Sequence, residues 1–107
     1  MSKHKEKPDG SDASDKADEL RAMLAISRAL ADPNRVEVFR RIAGAEQTAC
    51  MQIRECLGIN PATLSHHMKQ LEAAGLIETV RDGKFVRAHL RRKVWKTYLA
   101  YLKTLAA

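Results

Sequence analysis

The chain has 107 residues and a formal net charge of +6, with 19 lysines and arginines against 13 aspartates and glutamates. Its length allows one domain with a modest core, and it contains no run of about 18 apolar residues that could cross a membrane. No secretory signal accompanies the two cysteines, which fits reduced thiols rather than a disulfide framework. We therefore expect a cytoplasmic protein with no membrane contact. Its basic balance favours a polyanionic partner, above all nucleic acid.

The basic charge is concentrated in the C-terminal half. Residues 81–96 carry seven lysines and arginines against one acidic side chain, Asp82. Residues 1–16, by contrast, are rich in lysine, aspartate, serine and glycine and hold almost no apolar side chain. That composition predicts a disordered N-terminal tail, so the folded domain is expected over residues 17–107.

Two helices are predicted in the first part of this domain. Apolar residues recur at helical spacing over residues 17–31. Asp32 and Pro33 end that helix and begin the next, with Asp32 as the N-cap and Pro33 at the first helical position. The second helix is expected to end near Gly44, and the plainest role for its Arg35 is solvation on the outer side.

A helix-turn-helix arrangement follows. A short third helix is predicted over residues 49–57, with Thr48 as a candidate cap, and Gly58 then turns the chain into a fourth helix. The ends of the fourth helix are marked by Asn60, a good N-cap, and by Gly75, which can adopt the left-handed conformation that ends a helix. Two helices joined by a tight glycine turn are typical of this motif.

The fourth helix, residues 60–74, carries a polar outer arc. Leu64, Met68 and Leu71 fall on one apolar stripe at about 100° per residue. The opposite arc is small, hydrogen-bonding and lightly basic, and it includes Thr63, Ser65, His66, Lys69 and Gln70. An ordinary solvated helix face is the alternative, but the preceding helix and the following segment favour insertion into a DNA groove.

A basic hairpin is predicted directly after this helix. Two β-rich runs, residues 76–81 and 85–90, flank Asp82-Gly83, and Asp-Gly between such runs is a strong hairpin signal. The outward set of the hairpin and its tip is expected to include Arg81, Lys84 and Arg87. The predicted fold class is therefore mainly α with a small β-hairpin, in the arrangement of a winged helix-turn-helix.

The last predicted helix, residues 92–106, is apolar over more than half of its circumference. One face should meet the domain, and the rest, together with the first helix, is more apolar surface than a small monomer normally exposes. We therefore expect dimerisation through these two helices, although both could instead cap a slightly large core. The residues expected at the dimer interface are Leu20, Met23, Leu24, Val94, Trp95, Tyr98 and Leu102.

Two motifs make the chain similar to a known family. Leu30-Ala-Asp-Pro-Asn-Arg-Val-Glu-Val-Phe39 and the later run from Ala62 to Ile77, which includes Ser-His-His-Met-Lys-Gln-Leu-Glu-Ala-Ala-Gly-Leu, closely resemble the ArsR/SmtB family of bacterial transcriptional repressors. The resemblance covers roughly residues 18–105. It implies a homodimer built through the first and last helices. It also implies two recognition helices in successive major grooves of a pseudo-palindromic operator, with the wings over the minor groove.

The metal sites common in that family are not matched here. Arsenic-type members carry a Cys-x-Cys pair at the start of the third helix, where this chain has Ala49 and Met51. Zinc-type members carry ligands on the last helix, where this chain offers Arg92, Val94 and Leu105. We therefore expect no metal site, and the resemblance leaves the inducer unidentified.

Cys50 and Cys56 remain as candidate redox sensors. Six residues apart on a helix, their Cα atoms would lie about 9 Å apart, beyond direct disulfide reach. Cys50 is expected to pack as a small apolar side chain and Cys56 to be more exposed. Adjacent histidines diverge on a helix, so His66 is expected to contact DNA or backbone and His67 to lie beside the core.

Together these features predict a sequence-specific DNA-binding transcriptional regulator, most simply a homodimeric repressor that binds double-stranded DNA. One alternative is a winged-helix interaction module that meets an acidic protein, and another is a thiol-redox-responsive regulator. No constellation of catalytic residues points to an enzyme, and no cofactor is expected. The residues expected to contact DNA are Asn60, Thr63, Ser65, His66, Lys69, Gln70, Arg81, Lys84 and Arg87.

Overall fold

The computed structural model describes residues 8–107. Over that range, five helices and three short strands follow one another, and none of the helices is long and apolar enough to cross a membrane. The mainly helical architecture with a β-hairpin confirms the predicted fold class. The elements are α1 (Pro8–Ala29), α2 (Pro33–Ala43), β1 (Thr48–Ala49), α3 (Cys50–Leu57), α4 (Pro61–Ala73), β2 (Ile77–Asp82), β3 (Phe85–Leu90) and α5 (Arg92–Thr104).

Helix α1 begins at Pro8, earlier than the predicted start at residue 17. Proline suits the first position of a helix, because its missing N–H would have no partner there. The prediction from composition therefore extended the N-terminal tail too far along the chain, because residues 8–16 are helical. The rest of the predicted tail, residues 1–7, lies outside the described residues.

The predicted caps of α2 and α4 are confirmed. The Asp32 carboxylate accepts the backbone N–H groups of Asn34 and Arg35 at 2.8 and 3.0 Å, and this bonding lowers the pKa of Asp32. The Asn60 side chain accepts the N–H of Thr63 at 2.8 Å. Each cap satisfies N–H groups that have no partner within the helix, so local sequence sets where both helices begin.

The C-terminus of α4 is closed by a Schellman motif. Gly75 has φ +84°, its N–H donates to the Glu72 carbonyl, and the N–H of Leu76 donates to the Leu71 carbonyl. The chain leaves α4 in a fixed direction and enters β2 at once. This short connection ties the position of the hairpin to that of the helix before it.

Strand β1 corrects the prediction that Thr48 caps the third helix. Thr48 is buried, it pairs with Ala88 in a sheet of order β1-β3-β2, and its hydroxyl donates to the Arg41 carbonyl at 3.3 Å. Helix α3 instead begins after Ala49, which makes no side-chain cap. Thr48 thus pairs with Ala88, 40 positions later, instead of capping the adjacent helix. The hairpin is therefore held by a third strand.

The core lies between α1, α2, α4 and the sheet. Its largest fully buried side chains are Val38, Ile42, Ile53, Leu71, Leu76 and Ile77. Trp95 of α5 covers one side of this core, with its ring centroid 5.1 Å from that of Phe39. Because α4 contributes Leu64, Met68 and Leu71 to the core, its opposite arc is left facing water.

Candidate nucleic-acid interface

The predicted outer arc of α4 is exposed as one continuous surface. Ser65, His66, Lys69 and Gln70 are all exposed, whereas Thr63 is half-buried. These side chains project from a helix whose opposite stripe is locked in the core, so the arc has little freedom to rotate. A helix face of this kind matches the shape and chemistry required for the major groove.

The turn before α4 depends on one glycine. Gly58 has φ +65°, and its N–H donates to the Arg54 carbonyl at 2.8 Å, which ends α3 in the left-handed conformation. Asn60 then caps α4 two residues later. The side-chain oxygen of Asn60 is engaged by Thr63, so its part in any DNA contact is confined to the rest of its exposed amide.

The strand register sorts the basic residues of the hairpin onto two faces. Arg81 pairs with Val86, on the same face as the buried Ala88, whereas Arg87 pairs with Val80 on the opposite, outer face. The prediction of one outward set was therefore wrong in this respect, because Arg81 shares a face with its partner Val86, and the next residue, Arg87, points to the other face. All three cations, Arg81, Lys84 and Arg87, are nevertheless exposed.

The wing, residues 77–90, is held directly to α4. The Thr79 hydroxyl lies 3.2 and 3.1 Å from the two carboxylate oxygens of Glu72 and donates to that carboxylate. At the base of the wing, His89 Nε2 lies 3.2 Å from a Glu78 carboxylate oxygen, across the two strands. The Thr79–Glu72 hydrogen bond thus ties the wing to α4, while the basic side chains of the wing lie on both of its faces.

A cluster behind the recognition helix was not predicted from the sequence. Arg35 is half-buried: its Nε donates to the Ala29 carbonyl at 2.6 Å, and its Nη1 lies 3.5 Å from His67 Nδ1. Its predicted role in solvation is therefore wrong, because it caps the last turn of α1 and reaches α4. The signal available in the sequence was the proximity of Arg35 to the Asp32-Pro33 boundary, which places its guanidinium beside the preceding helix end.

His67 is only 5% exposed, deeper than the predicted boundary position. Burial lowers the pKa of His67, and the positive charge of Arg35 and the neighbouring His66 act in the same direction, while the Asp32 carboxylate opposes them. Since arginine can only donate, the neutral ring with Nδ1 as acceptor suits this contact.

Acidification is expected to destabilise the fold through His67. The pKa of His67 in the folded state lies below the ordinary value of 6.5. The neutral His67 ring therefore contributes fully to the free energy of unfolding at pH values above 6.5. This contribution is lost as the pH falls from 6.5 toward the folded-state pKa. We expect the free energy of unfolding to fall more steeply from pH 7 to about pH 5 in the wild type than in His67→Asn. Chemical denaturation at several pH values measures this, and equal slopes would contradict it.

The two cysteines differ in environment. Both are free thiols, Cys50 half-buried and Cys56 exposed. Burial raises the pKa of Cys50, which favours the less reactive thiol form, although Arg81 acts in the other direction. Among the described residues no group of three or more His, Cys, Asp or Glu side chains could hold a metal ion. Of the two thiols, the exposed Cys56 is the more accessible to an oxidant.

The surface predicted for dimerisation divides into two parts. Met23 and Tyr98 are buried within their own chain, so the prediction that they form an exposed interface is corrected. The Tyr98 hydroxyl lies 3.0 Å from Ser27 Oγ, which fixes α5 against α1. Leu20 and Leu24 are exposed, and the remaining predicted interface residues, Val94, Trp95 and Leu102, are half-buried.

A groove of about 850 Å³ opens beside Met23 and Tyr98. It lies between α1, α5 and the base of the wing, and Met23, Ile26 and Tyr98 contribute to its lining. Leu99 on α5 is also 39% exposed. The exposed leucines Leu20, Leu24 and Leu99 do not line this groove, so they are separate apolar positions on the two helices.

A recognition helix, a preceding glycine turn and a basic antiparallel wing define the class of winged helix-turn-helix proteins. Residues 30–80 match a family of helix-turn-helix domains. The chain is 31% identical over 72 residues to the transcriptional repressor SdpR of Bacillus subtilis, covering 67% of this chain and 79% of SdpR.

Two solved structures share the fold. An ArsR-like transcriptional regulator from Rhodococcus sp. RHA1 superposes with a TM-score of 0.72 at 20% identity, covering 80% of each chain. A homodimeric winged helix-turn-helix DNA-binding domain from Mycobacterium bovis superposes with a TM-score of 0.69 at 25% identity, covering 85% of this chain and 83% of the domain. This chain belongs to the ArsR family of winged helix-turn-helix transcriptional regulators. It spans about half the length of several curated relatives, regulators of cadmium and arsenical resistance.

Proposed function

We propose that this protein is a transcriptional repressor that binds a pseudo-palindromic operator as a homodimer. The observation that carries the proposal is the rigid pairing of an exposed polar arc on α4 with a basic wing, joined through Glu72 and Thr79. In a dimer, two such surfaces would enter successive major grooves. Occupancy of the operator would then block transcription.

The DNA contacts divide by chemistry. Gln70 and His66 carry groups able to pair with base edges in the major groove, whereas Lys69 suits phosphate or guanine. Ser65 and the half-buried Thr63 offer short hydroxyls near the N-terminal part of α4, where a helix enters the groove. The cations of the wing would bind phosphates of the flanking DNA. Gln70 and His66 therefore set base preference in this proposal, and the wing sets affinity.

The proposed dimer is supported by the apolar surface of α1 and α5. Leu20 and Leu24 of α1 are 43% and 36% exposed, and Leu99 of α5 is 39% exposed. Apolar side chains exposed on two packed helices are typical of a protein–protein interface. The related domain from Mycobacterium bovis is homodimeric.

Reversing charge on the wing tests the DNA-binding mode. Lys84→Glu/Arg87→Glu is expected to weaken binding to all duplexes and to reduce the slope of log affinity against log salt by about two for each protomer. Both effects are expected because the variant removes two cations that would pair with phosphates and release counterions. Fluorescence anisotropy with DNA from the protein's own upstream region and with a scrambled duplex, at several salt concentrations, measures them.

Arg40→Glu/Arg41→Glu on α2 is the matched control, since both arginines are exposed and lie outside the wing, α4 and the α1–α5 surface. This variant should retain most of the salt slope of the wild type. An unchanged slope in the wing variant would remove the wing from DNA binding. Failure of the wild type to prefer any duplex over scrambled DNA would contradict the proposed function and favour an acidic protein partner.

A further inference from the structure

The outer face of the wing tip exposes apolar side chains. Phe85 is 50% exposed and Val80 is 43% exposed. The register places Val80 opposite Arg87 and Phe85 opposite Asp82, so these four side chains lie on one face of the hairpin. We call these residues, with Lys84 of the turn, the wing-tip surface.

Exposure of Phe85 has no explanation within the fold. The buried face of β3 is supplied by Ala88 and Leu90, two residues apart, with half-buried Val86 on the same side. Phe85 belongs to the opposite set, so the hairpin forms without covering its ring. A large aromatic side chain at the tip of a hairpin is thus available to a partner.

Charge identifies the kind of partner. The Lys84 ammonium lies 6.0 Å from the centroid of the Phe85 ring, and Arg87 follows two residues along the same face, whereas Asp82 is the single acid of the surface. An apolar wedge between cations is complementary to a minor groove, where phosphates line the edges and base steps lie between them. A purely apolar protein partner would gain nothing from these cations.

We propose that the wing-tip surface binds the minor groove beside the recognition helix, with Phe85 as an apolar wedge against a base step and with Lys84 and Arg87 on the adjacent phosphates. The inference rests on the proposed function, because it presupposes α4 in the neighbouring major groove. Insertion of a wedge partly unstacks the step and bends the duplex. Since pyrimidine–purine steps unstack most easily, the operator should carry such a step under each wing.

Two variants of equal charge test the wedge. Phe85→Gln removes the apolar ring, whereas Phe85→Leu keeps an apolar side chain able to fill the same step. With a duplex selected by the wild type from a random library, Phe85→Gln should weaken binding by about tenfold, in line with loss of roughly half the burial of a phenylalanine. It should also reduce the bend seen by gel phasing and lose the preference for a pyrimidine–purine step at the wing position. Phe85→Leu should retain most of the affinity, the bend and the preference for a pyrimidine–purine step.

The salt slope should be the same in both variants, since no ionic contact is removed, and thermal unfolding verifies that both remain folded. If Phe85→Gln binds and bends the duplex as the wild type does, Phe85 is not a wedge, and the proposed function remains intact. A changed oligomeric state of Phe85→Gln in analytical ultracentrifugation would instead assign the surface to a protein contact and also overturn it. If the wild type selects no duplex at all, the proposed function itself fails.

Discussion

Replacement of Arg35 by methionine is expected to lower the free energy of unfolding by about 2–3 kcal/mol. The variant would leave the carbonyl of Ala29 and Nδ1 of His67 without the guanidinium that they contact at 2.6 and 3.5 Å. Buried polar groups that lose a partner cost more than the net gain of the original hydrogen bond. Chemical denaturation monitored by circular dichroism measures the change.

Arg41→Met supplies the matched control for this prediction. It makes the same side-chain change on the same helix, but Arg41 is exposed, and such surface substitutions usually change stability by less than about 0.5 kcal/mol. A double-mutant cycle of Arg35→Met with His67→Asn isolates the contact between the two side chains. Equal stability of the two methionine variants would show that Arg35 does not join α1 to the recognition helix.

Introduction of a carboxylate into the α1–α5 surface is expected to convert the proposed dimer into a monomer. Leu24→Glu/Leu99→Glu would place two charges of each protomer where apolar side chains meet, and burial of an unpaired charge is strongly unfavourable. A monomer binds one half-site only, so operator affinity should fall by about a hundredfold or more through loss of bivalency. Analytical ultracentrifugation and anisotropy measure the two effects.

Met51→Glu controls for the change from an exposed apolar side chain to a charged one. Met51 is 54% exposed on α3, away from the α1–α5 surface, so its substitution should leave the oligomeric state unchanged. A leucine variant that remains dimeric would place the interface elsewhere. A wild-type protein that is monomeric at all concentrations, yet binds a palindromic site tightly, would contradict the dimeric mode.

The features that sequence predicted well are local. Asp32 and Asn60 cap their helices as expected because an N-cap side chain bonds to an N–H only two or three residues away. Gly75 ends α4 because its left-handed conformation is inexpensive only for glycine. Such interactions are complete within a few residues, so the amino-acid sequence contains all that they need.

Features that depend on strand pairing were predicted only in part. The hairpin was placed correctly, but its register pairs Asp82 with Phe85, which leaves Gly83 and Lys84 as the turn. The structure therefore places Arg81 on the face of the buried Ala88 and Arg87 outward, and it exposes Phe85, which the sequence pattern did not single out.

Sequence by itself determined the order of the five helices and the hairpin, the ends of α2 and α4, and the polar arc of the recognition helix, because capping and helical periodicity act over a few residues. Tertiary structure alone decided which side chains meet across the fold. Arg35 reaches His67 over 32 positions, and Thr48 leaves a capping role to pair with Ala88. Met23 and Tyr98 likewise join their own core. These outcomes depend on how whole helices and strands pack, where burial outweighs the local preference of any one residue.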